Sequence, residues 1–165
     1  MRTLASRTML LAALAMAIAA APAHAQTAQE KADAAECIAY NLSANSLARL
    51  IAADTELDAA SKEDPELKKA WDALNNVGDK SLSEVTAGMA TSAKLVAVAG
   101  SHGFKPREFV VANIEYFSTG SLVAALKAGA DRASILANPD INKTNVELLE
   151  NTPGAMDYLV KKMSS

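Results

Sequence analysis

From Pro106 to about Lys127 the chain reads as one long apolar helix, and no other stretch restricts the fold as much. Phe109, Asn113, Tyr116, Gly120 and Val123 recur at steps of four, three, four and three, and Val110, Ile114 and Phe117 form a neighbouring stripe. So wide an apolar face must be covered on most sides, which makes this helix the hub for the others. Gly103 can take the positive φ that ends a preceding helix, Pro106 fits a first helical turn, and Glu108 in that turn suits the helix dipole. Gly120 lowers helix propensity by about 1 kcal/mol against alanine. Its place inside the stripe predicts close approach of a neighbouring helix, or a bend.

The first 25 residues read as an export signal and not as part of the fold. Arg2 and Arg7 give a positive start, residues 9–20 are continuously apolar, and Ala23-His24-Ala25 sets small residues where a signal peptidase cuts. Cleavage after Ala25 is expected to leave residues 26–165 as one domain, frayed over 26–34, in the periplasm or secreted. Gln26 stands where a lipid anchor would need cysteine. No second continuous apolar run of that kind follows, which predicts a soluble mature chain.

Around the hub, the spacing predicts helices throughout. One is expected from about residue 35 to 60, with Cys37, Tyr40, Leu47 and Ile51 inward. Its last turns carry Asp54, Glu56 and Asp58 against the dipole, which predicts fraying or an acidic surface patch. Asp64-Pro65 opens a short helix. Ser81 and Glu84 make a capping box for a third, running to about Ala99. Beyond the hub, a short turn near Leu136, a box at Thr144 and Glu147, and a start at Thr152-Pro153 predict three small helices. No apolar alternation suggests a strand, so the expectation is all-α, with four main helices and short extra ones.

Charge and ligand supply exclude several function classes. Without Arg2 and Arg7 the chain has 14 basic against 19 acidic residues, scattered rather than striped, which argues against nucleic acid or an anionic membrane surface as partner. Cys37 is the sole cysteine, so it is either a buried thiol or the link of a covalent homodimer. His102 is the only histidine left after processing. Zinc sites want three or four His or Cys ligands, which this chain lacks. Copper would have to use His102, Met89 and Cys37, and haem would pair His102 with Met89, Met156 or Met163. Asp140-Ile141-Asn142-Lys143-Thr144 starts like a calcium loop but lacks its glycine and its final glutamate. One histidine and no strand-turn-helix setting argue against a hydrolytic triad, while Glu108 and Glu115, seven apart, lie on one side of the hub helix, where paired acid and base work is geometrically possible. Helix solubility explains that pair more simply.

The compact polar group His102, Arg107 and Glu108, with the bordering aromatics Phe104 and Tyr116, is the candidate binding site. The string His102-Gly103-Phe104-Lys105-Pro106-Arg107-Glu108-Phe109, with the later Asn138-Pro139 and Asn-Val-Glu-Leu-Leu segment, resembles small exported helical proteins of Gram-negative bacteria without assigned activity. That resemblance implies export and helicity and offers no functional residue to carry over. The sequence therefore points to a protein that acts by binding, either an envelope partner protein or a small apolar ligand. A haem or copper protein centred on His102 is the alternative, and an enzyme the third reading.

Overall fold

The computed structural model describes residues 27–78 and 80–163. The expected leader and its cleavage site lie outside the described residues. Among them there are nine helices and no strand, so the protein is all-α. In chain order they are α1 (Ala28–Ala39), α2 (Ala44–Ala60), α3 (Pro65–Asn75), α4 (Leu82–Ala90) and α5 (Ala93–Ser101), followed by α6 (Pro106–Lys127), α7 (Arg132–Ala137), α8 (Lys143–Asn151) and α9 (Asp157–Met163).

Serine caps divide two segments that the spacing had joined. The expected helix over 35–60 is two helices, because Ser43 leaves helical geometry and caps α2. Its Oγ accepts from Ser46 N–H, and Ser46 Oγ accepts from Ser43 N–H. The expected helix over 82–99 breaks at Thr91, whose hydroxyl donates back to the Gly88 carbonyl, while Ser92 Oγ caps α5. The start of the chain, expected to fray to about residue 34, is helical from Ala28 under a box formed by Thr27 and Glu30. Asp64 before Pro65 and Ser81 with Glu84 cap α3 and α4 as the sequence implied. Two later starts are displaced. Asn142, not Thr144, caps α8, and the chain turns through 152–156 before α9 begins at Asp157.

Helix α6 is the hub. It packs against α1, α2, α4, α5 and α8, and Phe109, Val110, Tyr116 and Val123 on it are wholly buried. Its length and mean hydropathy of 1.4 would also suffice to cross a membrane, although just over half of that apolar window is buried inside the fold. Gly120 is where a neighbour closes in. A Cβ there would collide with Leu159 of α9, which is itself buried. Trp71 and Phe104 both pack on Phe109, with ring centroids 6.4 and 5.7 Å away, so the aromatic cluster joins α3 and the α5–α6 turn to the hub. The buried side chains form one hydrophobic cluster from Leu42 to Leu159.

Candidate binding site

The turn from α5 to α6 carries the expected site, and its residues face several different neighbours. Gly103 has φ +79°, and its amide bonds the Gly100 carbonyl while the Phe104 amide bonds that of Ala99, which ends α5. Arg49 of α2 seals the turn. It donates to the carbonyls of His102 (3.1 Å) and Gly103 (3.3 Å), and its guanidinium lies 4.7 Å from the Phe104 ring centroid. His102 Nε2 lies 2.9 Å from Glu56 on α2. Phe104 is buried in the core. Arg107 turns toward α1, where it grips Glu36 through two bonds of 2.9 and 2.6 Å, with Asp33 at 3.7 Å. Glu108 is half-buried beside Tyr40 and, with burial, helps raise the phenol pKa there. Tyr116 is buried and donates to the Ala155 carbonyl at 2.6 Å. The five residues thus fasten the α5–α6 turn to α2, α1 and the segment before α9.

The three residues considered for a metal occupy different settings. Cys37 on α1 is half-buried, and burial foremost, then Glu115, pushes its thiol up to about 11, so it is not a thiolate at neutral pH. Met89 is in the core of α4, and His102 is on Glu56. Among the described residues no group of three His, Cys, Asp or Glu side chains stands close enough to hold a metal ion.

Sequence reading missed two buried polar centres. Glu115 is 6% exposed, not a solubilising residue, and its Oε1 accepts from Thr119 Oγ1 (3.0 Å) and Asn145 Nδ2 (2.9 Å). Burial raises its pKa against those bonds. Asn145 also donates to the Tyr40 carbonyl and accepts from Leu42 N–H, so it ties α8 to the break between α1 and α2. The second centre replaces the expected acidic patch at the end of α2. Asp58 accepts from Trp71 Nε1 (2.7 Å), Tyr158 Oη (2.8 Å) and Lys162 Nζ. Burial pulls its carboxyl pKa up, but these three donors outweigh it and hold the group below the usual carboxylate range. Asp54, one turn earlier, is 0% exposed. Leu47, Leu50, Asp54 and Leu57 share one helical face, a spacing from which its burial could have been read.

Beside this second centre lies a groove of about 330 Å³ between α3, α6 and α9. Its walls include Val77, Val110, Ile114 and Phe117, with Asn113 and Lys162 among the lining side chains. Lys162 is its one charged lining residue among those described, and its ammonium lies 4.7 Å from the Trp71 ring centroid. A second hollow of about 340 Å³, between α3 and α4, carries charges of both signs in Glu66, Lys69, Lys80 and Glu84. Comparison with known proteins adds no relative, since no family model, no curated protein and no solved structure matches the chain.

Proposed function

We propose that the chain is an exported, soluble helical bundle, cut after Ala25, that binds a small apolar molecule ending in a carboxylate in the groove between α3, α6 and α9. The observation that carries this reading is the groove's lining: aliphatic and aromatic walls with Lys162 as the single charged side chain among the described residues. Apolar walls favour a hydrocarbon body, and a cation held against aromatic rings favours an anionic head. Asp58 and the rings of Trp71 and Tyr158 hold the ammonium in place, which spares part of the ordering cost of binding. In the bundle α2, α3, the α4–α5 pair and α6 are the four main members. A cut after Ala25 would leave the Thr27–Glu30 capping box intact, so processing is compatible with every described helix.

The experiment is a titration of Trp71 emission with decanoate, decanol and decylamine. Trp71 is the chain's single tryptophan, so the signal reports this region alone. Decanoate is expected to bind tightest, and Lys162→Met to erase its advantage over decanol while leaving decanol binding in place. If the variant does not fold, the wild-type order of the three probes still decides. Equal affinity for all three, or no binding, would contradict the reading and favour a partner protein instead.

A further inference from the structure

Among the described residues no donor reaches three buried acceptor atoms, the two carboxylate oxygens of Asp54 and Asn113 Oδ1. The two side chains are neighbours, and Asn113 Nδ2 is committed to the Phe109 carbonyl of its own helix at 3.1 Å. An ionised carboxylate with no donor in an apolar interior is among the least favourable arrangements a fold can contain. One proton on Asp54 relieves this, because the acid form carries no charge and has an O–H of its own to offer a neighbouring acceptor.

We propose that Asp54 is held neutral in the folded protein, and that its ionisation loosens α9 from the core. The surrounding charges make α9 the element that gives. On its own helix Asp54 has Asp58 one turn on. From α9 it is faced by Tyr158 and by Lys162, and from α6 by Tyr116, which Asp157 also influences. Glu115, also on α6, is engaged with Thr119 and Asn145. The charged residues of α3 are exposed, and Lys94 of α5 is paired with Asp64. Burial, which outweighs the attraction of Lys162 and of the neighbouring Asn113 amide dipole, lifts the Asp54 carboxyl to about 8. Helix α9 has seven residues, and its polar ties to α2 include those of Tyr158 and Lys162 to Asp58. A negative charge on Asp54 repels Asp58, competes for Lys162 and demands water. The inference stands without the proposed ligand, although Asn113 and Lys162 also line the groove, so the test is made on ligand-free protein.

The test uses the wild-type chain first. With aspartate carboxyl carbons labelled, NMR from pH 4 to 9.5 is expected to show one aspartate titrating near pH 8, with Trp71 emission shifting over the same range. Asp54→Asn should abolish both. At pH 9, amides of residues 157–163 in wild type should exchange about tenfold faster than in Asp54→Asn, and at pH 6.5 the two should match. Should the variant fail to fold, the wild-type titration decides the first half, and wild-type exchange of 157–163, corrected for intrinsic rate, decides the second. All aspartates titrating below pH 6 would overturn the neutral acid. A titration near pH 8 with no added exchange in 157–163 would overturn the release of α9.

Discussion

Asp54 shows how far a single side chain can depart from what its neighbours in sequence suggest. It stands in an acidic run, yet the period of α2 turns it to the same face as Leu50 and Leu57, and it is wholly buried. Asp58, four residues on, is half-buried and has donors from three side chains, so the two carboxyls are driven in opposite directions. This has a consequence for stability. Between the unfolded value of 3.8 and about 8 the folded chain keeps a proton on Asp54 that the unfolded chain has lost. Stability from this group is therefore fully present below pH 3.8, falls as pH rises through that window, and levels off above it, with a slope of up to about 1.4 kcal/mol per pH unit. Glu115, also raised by burial, adds a slope of the same sign. Urea unfolding from pH 5 to 8.5 should show wild type losing stability and Asp54→Asn losing clearly less. Parallel curves would contradict a buried neutral Asp54.

Helices were legible in this sequence where a cap and an apolar stripe agree, as at Asp64-Pro65 and Ser81–Glu84. They were misjoined where serine caps serine, because Ser43 with Ser46 lacks the glutamate that marks a capping box, and the surrounding spacing continues through the break. The purpose of that break appears only in three dimensions. It exposes the Tyr40 carbonyl and the Leu42 amide, and Asn145, about a hundred residues away, satisfies both. Asn145→Ala would strand the Leu42 amide, leave the Tyr40 carbonyl to Asn142 Nδ2 alone, and remove one of the donors to buried Glu115, for an expected loss of about 2 kcal/mol or more. Chemical unfolding measures it, and a loss below about 1 kcal/mol would mean that water replaces Asn145 freely. Gly120 belongs to the same scale, and here the apolar stripe did foretell a close helix contact. Alanine would gain about 1 kcal/mol of helix propensity. Against that, Leu159 is buried and has little room to yield, so overpacking of about 1–3 kcal/mol should win. A melting temperature for Gly120→Ala at or above wild type would contradict the tight α6–α9 contact.

For the molecule as a whole, the all-α class and the hub at Pro106–Lys127 were readable because periodicity and helix punctuation point the same way over long stretches. The proposed groove was less so. His102, Phe104, Arg107, Glu108 and Tyr116 were grouped because they are polar or aromatic and close in sequence, but a helix start sends successive side chains to different neighbours. Here they go to α2, the core and α1. The groove draws instead on Val77, Ile114 and Lys162, which come from three distant parts of the chain, and no local pattern announces such a meeting. Native mass spectrometry on full-length protein, exported by its producing cell and recovered without added ligand, brings both parts of the proposal to one spectrum. A mass beginning at Gln26, carrying a small adduct that organic extraction removes and identifies as an apolar carboxylate, is the expected result. A bare chain, or an adduct that Lys162→Met retains in full, would contradict it.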